Sequence, residues 1–221
     1  MKYAKLGNTN LEISRLSAGC MSFGDVNAGD IHKWVLNVEE SEVLVKKALD
    51  VGINFFDTAN VYSKGTSEEF LGRAINKNIA RDKVILASKV YFNQGERIPN
   101  NGNLSKEAIA REIDETLARM GTDYLDLYII HRFDKSTPIE ETMETLNHLV
   151  KVGKVRALGA SSMYGYQFHN MQHVAEQNGW AKFESMQNHY NLLYREDERE
   201  LILACRWKTF PLRVAYGYIA Q

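Results

Sequence analysis

Residues 52–75 read GINFFDTANVYSKGTSEEFLGRAI, and the order of apolar, polar and helical stretches within them decides the fold. Ile53 to Phe56 is a short apolar run with aromatic and β-branched residues, as expected of a buried strand. Asp57 closes the run and Tyr62 follows in the polar stretch beyond it. Ser67, with Glu68 and Glu69, is a helix-start signal ahead of FLGRAI. Strand, loop and helix make one βα unit, and repetition of such a unit builds a parallel sheet.

The unit does repeat. Apolar runs at Ile13 to Ala18, Val84 to Ala87, Leu125 to Ile130, Val155 to Leu158 and Ser185 to Gln187 join Ile53 to Phe56 as strand candidates. Helical stretches alternate with them. Ser41 precedes EVLVKKALDVG and Ser105 precedes KEAIAREIDETLARMG, with Gly52 and Gly121 where C-caps belong. Further helices are predicted over Pro138 to Val152, with Pro138 in the first turn, over Gln167 to Asn178, and over Arg195 to Arg206. The pattern gives six βα units. Ahead of them, Tyr3 to Leu6 and Leu11 to Ser14 flank the turn-forming cluster Gly7-Asn8-Thr9-Asn10, which predicts a β-hairpin suited to plugging the bottom of a barrel.

Composition narrows the class. The 221 residues are 44% hydrophobic and carry a formal net charge of -1, without a long Lys/Arg block, so nucleic-acid or membrane-surface binding is not expected. No linker divides the chain, which predicts a single domain over 1–221. The N-terminal stretch lacks an apolar core of signal-peptide length and no later stretch reaches membrane-span length, so a cytoplasmic protein is expected. Cys20 and Cys205 belong to no metal or CxxC spacing and are expected to be buried, reduced thiols. The glycan-acceptor pattern at Asn103-Leu104-Ser105 reads as a loop.

Asp57, Tyr62, Lys89 and His131 lie at or just past the downstream ends of three successive strand candidates. In a parallel barrel all such ends open on one face, so the four residues converge. An ionised aspartate steadies a buried lysine ammonium, and an ammonium favours a neighbouring phenolate, which makes a tyrosine a usable general acid. Such an acid can protonate a carbonyl oxygen while a histidine orients it, and the set suits carbonyl reduction. Taken singly, each residue reads better as part of a structural ion pair or a packed strand end, because structural ion pairs also perturb pKa values; it is the four together that point to a site.

The stretches GINFFDTANVYSKGTSEEFLGRAI, VILASKV, LDLYIIHRFD, ALGASS and MQNHYNLLYRE together resemble the aldo-keto reductase family, and its bacterial and fungal branch through HRFDKSTPIEETMETL. The resemblance implies a (β/α)8 TIM barrel that uses NADPH to reduce aldehydes and ketones to alcohols. By it, Tyr62 is the proton donor, Lys89 and Asp57 tune it, and His131 positions the carbonyl. Ser161, Ser162 and Gln187 match the positions that hold the nicotinamide carboxamide, with Ser162 where the family commonly has Asn. The absence of an opening GxGxxG agrees with a barrel and argues against a Rossmann domain.

Beyond residue 204 the resemblance falters, so 205–221 reads as a divergent C-terminal segment. Its last stretch, VAYGYIA, resembles a seventh strand, in which Tyr216 matches the aromatic residue that stacks on nicotinamide. The expected fold is therefore an incomplete barrel of six βα units and a seventh strand, C-terminally truncated or altered, with weak NADP binding, slow turnover and self-association through open sheet edges. The competing function is a catalytically silent binding or regulatory chain.

Other signals carry less. His169 and His173 share a helix face but lack a third ligand, so no metal site is expected. His189, next to Asn188 and two past Gln187, either borders the pocket or merely follows its strand, while His32 and Trp34 fall in the long loop after the first strand candidate.

Overall fold

Among the described residues, seven parallel strands follow one another in chain order across one curled sheet, each hydrogen-bonded to the next, and a separate two-stranded hairpin precedes them. This arrangement is seen in a computed structural model, which describes residues 1–28, 34–92, 102–207 and 212–213. The hairpin pairs β1 (Tyr3–Lys5) with β2 (Glu12–Ser14). The parallel strands are β3 (Ala18–Gly19), β4 (Phe55–Asp57), β5 (Ile85–Val90), β6 (Leu125–Ile130), β7 (Val155–Ser161), β8 (Phe183–Gln187) and β9 (Leu212–Arg213). Helices α1 (Val38–Asp50), α2 (Thr66–Asn78), α3 (Lys106–Met120), α4 (Ile139–Lys151), α5 (Gly165–Gln177) and α6 (Leu201–Trp207) follow β3 to β8 in turn. The six βα units, the incomplete barrel and the N-terminal hairpin are as the sequence predicts.

Side chains alternate across the sheet, so its two faces build two cores. The larger lies between sheet and helices and contains Phe56, Leu86, Tyr128 and Leu158 from the strands with Leu71, Ile109, Met143 and Phe168 from the helices. The smaller lies inside the curl and contains Phe55, Ile85, Ala87, Leu127, Ile129 and Ala157. Leu6 and Ile13 of the hairpin join the inner cluster, and the backbone N–H of Asn8 donates to Glu184 on β8 at 2.8 Å. The hairpin thus plugs the end of the curl at which the strands begin. Gly159 is required inside, because a Cβ there would fall 2.7 Å from Ser185 Oγ and 3.0 Å from Ile129.

Several boundaries differ from the sequence reading. The run Ile13 to Ala18 divides: Ile13 and Ser14 pair within the hairpin, exposed Arg15, Leu16 and Ser17 break the run, and the barrel strand is Ala18–Gly19. Helix α1 starts at Val38 instead of after Ser41, because Asn37 and Glu40 form a reciprocal capping box. Ser41 lies buried inside the helix and donates to the Leu36 carbonyl. In α2 the cap is Gly65, and Ser67 uses its hydroxyl on the Cys20 carbonyl and Thr58. Pro138 caps α4 from just outside instead of entering its first turn. Ser105 caps α3 as expected. The seventh-strand position is taken by Leu212–Arg213 beside β8, just ahead of the predicted VAYGYIA stretch, and that stretch itself, residues 214–220, lies outside the described residues.

Candidate active site

The alternation that fills the inner core ends, on several strands, in a polar residue. On β4 the inward positions run Phe55, Asp57; on β5 they run Ile85, Ala87, Lys89; on β6 they run Leu127, Ile129 and, one step past the strand, His131. Ser161 closes β7 and Gln187 closes β8, directly opposite each other in the register. The apolar plug and the polar mouth are therefore two ends of one column of side chains.

Lys89 organises the mouth. Its Nζ lies 2.9 Å from each Asp57 oxygen, donates to the Thr58 carbonyl at 2.8 Å and to the Tyr62 hydroxyl oxygen at 3.2 Å. Lys89 and Asp57 are each only 2% exposed, so neither charge could persist here without the other. Burial works against the Lys89 ammonium, but the Asp57 carboxylate and the Tyr62 oxygen outweigh it and hold the lysine above its ordinary pKa. Because the Tyr62 hydroxyl oxygen accepts from the ammonium, its own O–H points toward a different acceptor.

The loop carrying Tyr62 is strained. Ser63 and Lys64 both have left-handed backbones, with φ of 47° and 54°, before Gly65 opens α2. Each non-glycine residue so held costs about 1–2 kcal/mol. The conformation is fixed by tertiary contacts: Thr66 Oγ1 donates to the Ser63 carbonyl and accepts from the Asp25 N–H. Opposite stands His131, whose ring meets the Tyr62 ring edge-on with centroids 5.8 Å apart. Phe92 also packs edge-on against His131, at 5.1 Å.

On the β7–β8 side, Gln187 Nε2 donates to Asp57 Oδ2 at 3.1 Å, joining that side to the Lys89 cluster. An amide oxygen turned toward the carboxylate would be repelled, which fixes the amide's orientation. Gln187 Oε1 is left buried with no hydrogen-bond partner among the described residues. The Ser161 and Ser162 hydroxyls lie 3.1 Å apart, and the Ser162 N–H is shared between Asn188 Oδ1 and the Gln187 carbonyl. Ser162 has φ of 51°, a conformation that Asn tolerates better than most residues.

The structure thus brings Asp57, Tyr62, Lys89, His131, Ser161, Ser162 and Gln187 to one mouth, while Tyr216 lies outside the described residues. A family model for the aldo/keto reductase family matches residues 15–221. The chain belongs to the aldo/keto reductase family. It is 46% identical to an aldo-keto reductase of Fusarium vanettenii over 92% of this chain and 60% of that protein. An aldo-keto reductase of Alternaria alternata is 43% identical over 92% of this chain and 61% of its own length. Versiconal hemiacetal acetate reductase of Aspergillus parasiticus is 42% identical over 93% of this chain and 64% of its own length. The chain therefore spans less than two thirds of these relatives.

In this member of the family, sequence reasoning missed Thr58, Asn60 and Asn188. Thr58 acts through its carbonyl, which residue type does not reveal, and Asn188 was visible only as a polar neighbour of Gln187. Asn60 stands two residues before Tyr62 in the same loop, and that spacing was its available signal. Cys20 hydrogen-bonds through its N–H to the Asp57 carbonyl, but burial, followed by the Asp57 charge, pushes its thiol far above the range of a nucleophile. Cys205 is buried too, and its thiol is pushed up to about 11 by burial and by Asp197.

His169 and His173 stack with centroids 6.3 Å apart on α5, and among the described residues no group of three or more His, Cys, Asp or Glu is arranged to hold a metal ion. His189 is exposed and stacks on Tyr194. Trp34 is exposed, and His32 lies outside the described residues. No described helix is long and apolar enough to cross a membrane.

Proposed function

We propose that this chain is an NADPH-dependent reductase of small aldehyde or ketone carbonyls, producing alcohols. The observation that carries the reading is the Lys89 ammonium bonded at once to Asp57 and to the Tyr62 hydroxyl oxygen. With a carbonyl oxygen between Tyr62 and His131, Tyr62 donates its proton to that oxygen, and the ammonium stabilises the phenolate left behind. Asp57 keeps the lysine charged and aimed, and His131 supplies a second contact to the oxygen. The product is the alcohol, with the oxygen protonated by Tyr62.

When bound, the reduced nicotinamide supplies the hydride. The residues present fit such a group: Gln187 Oε1 is a buried acceptor lacking a donor among the described residues, and the two serine hydroxyls stand beside it. A buried amide oxygen left so costs about 1–3 kcal/mol, and a carboxamide N–H would relieve it. Ser161, Ser162 and Gln187 would hold the carboxamide. The preference for NADPH over NADH rests on the family resemblance, and a cytoplasmic setting goes with the same reading.

The test is to follow absorbance at 340 nm with the purified chain, 4-nitrobenzaldehyde and NADPH or NADH in turn. Wild-type protein should consume NADPH faster than NADH, and Tyr62→Phe should lose about a hundredfold or more of the rate. No turnover with either nucleotide, or an unchanged rate in Tyr62→Phe, would sink the proposal.

A further inference from the structure

Asn60 is fully buried on the loop between β4 and α2, two residues before Tyr62. Its backbone N–H donates to the Lys89 carbonyl at 3.2 Å. Its side-chain Nδ2 donates to the Phe92 carbonyl at 2.9 Å and to Glu112 Oε2 on α3 at 2.7 Å. One short side chain therefore ties the tyrosine loop to the end of β5 and to a helix outside the sheet.

The Phe92 ring leads onward. It meets His131 edge-on at 5.1 Å with an interplanar angle of 81°, and the Arg132 guanidinium lies 5.9 Å from its centre while Nη1 holds the His131 carbonyl at 3.1 Å. Asn60 is thus linked along the chain to the proton donor and through Phe92 to the histidine facing it. We infer that Asn60 is a positioning residue that sets the separation of Tyr62 and His131, the gap in which a carbonyl oxygen has to fit.

The amide is chemically specific for this role. Its nitrogen presents two N–H donors, and both neighbours are acceptors, a carbonyl oxygen and a carboxylate oxygen. Without that nitrogen the two acceptors face each other across a buried gap and repel, and relief of the repulsion moves Phe92 off His131. The titratable and charged groups around position 60 are Glu112 and Arg111 of α3, which contact each other, Tyr128 of β6, which feels the Glu112 charge, and Lys89, whose ammonium faces Asp57.

For its catalytic consequence the inference rests on the carbonyl-reductase reading, so the experiment carries one readout that needs no turnover. The wild-type chain, Asn60→Ala and Asn60→Asp are compared by steady-state reduction of 4-nitrobenzaldehyde, by NADPH titration of intrinsic fluorescence, and by the NMR shift of the His131 Cε1–H. In Asn60→Ala, kcat should drop tenfold or more, the NADPH Kd should stay within twofold, and the histidine resonance should move. Asn60→Asp should recover activity as pH falls, because only the protonated carboxyl can donate to the Phe92 carbonyl, and this profile should be absent from Asn60→Ala.

Wild-type kcat together with an unmoved His131 resonance in Asn60→Ala overturns the inference. Should that variant fail to fold, Asn60→Asp decides alone: a resonance that follows wild type at every pH between 5 and 8 overturns it. A wild-type chain that reduces no carbonyl defeats the functional reading, and the histidine resonance still decides whether Asn60 holds the ring.

Discussion

A Cβ placed on Gly24 would lie 2.2 Å from both the Cβ and the Oγ of Ser63. Ser63 is buried and begins the left-handed turn that follows Tyr62, so the loop after β3 is pressed against the loop that carries Tyr62. Gly24 also has φ of +153°, where a side chain is strained whatever the space. Gly24→Ala should push Ser63 outward and lengthen the 3.2 Å contact between Tyr62 and Lys89. The expected result is at least a tenfold loss of kcat and about 1–3 kcal/mol of stability, the usual cost of overpacking. Unchanged turnover in a folded Gly24→Ala protein would show that Tyr62 does not depend on this contact.

Lys89 should leave a signature in the dependence of stability on pH. Its pKa in the folded protein is held above the ordinary lysine value of 10.5, against burial, by Asp57 and the Tyr62 oxygen. A base whose pKa is raised on folding stabilises fully below its unfolded pKa, and the benefit is lost as pH rises through the folded one. Urea unfolding of wild type and Lys89→Met should accordingly diverge most below pH 10.5 and converge above it. A stability difference that stays constant to pH 11.5 would contradict the assignment.

The site was legible in the sequence wherever chemistry coincided with a strand end. Asp57 and Lys89 close apolar runs, and period-two alternation turns them to the side that Phe55 and Ile85 occupy. Strand lengths were less legible: β7 continues to Ser161, past the predicted end at Leu158, through the small residues Gly159 and Ala160. Asn60 was not legible, because its work is done against a carbonyl and a glutamate 52 residues away on α3. The divided first strand was obscured by Leu16, apolar in sequence but exposed in the turn that separates hairpin from barrel. The start of α1 was misread for a local reason, since Asn37 and Glu40 satisfy the capping box that Ser41 only suggested.

Ser162 makes a separate prediction about backbone strain. Its φ of 51° lies where β-branched side chains are penalised and Asn is accommodated. Ser162→Val should cost about 1–2 kcal/mol in urea unfolding, whereas Ser162→Asn should be neutral or slightly stabilising. Equal losses in both variants would mean that the serine hydroxyl, 3.1 Å from that of Ser161, matters more than the conformation.

At the plugged end of the sheet, Asp126 is a buried carboxylate on β6 held by three donors on different segments. Arg81 approaches one oxygen at 2.7 Å, Arg156 the other at 3.0 Å, and the Leu86 N–H of β5 donates at 3.0 Å. Both guanidiniums also lie over the Tyr124 ring, at 4.1 and 3.9 Å. Removing the carboxylate leaves Arg81, itself only 17% exposed, without its counter-charge, so Asp126→Ala should cost about 3–5 kcal/mol. Arg156 is 45% exposed and screened by solvent, and Arg156→Ala should cost no more than about 1 kcal/mol. Arg81→Ala should fall near the Asp126 value, because the same guanidinium also donates to the Val84 and Tyr124 carbonyls and to Thr122. Equal costs for Arg81→Ala and Arg156→Ala in urea unfolding would mean that burial does not set the strength of these ion pairs.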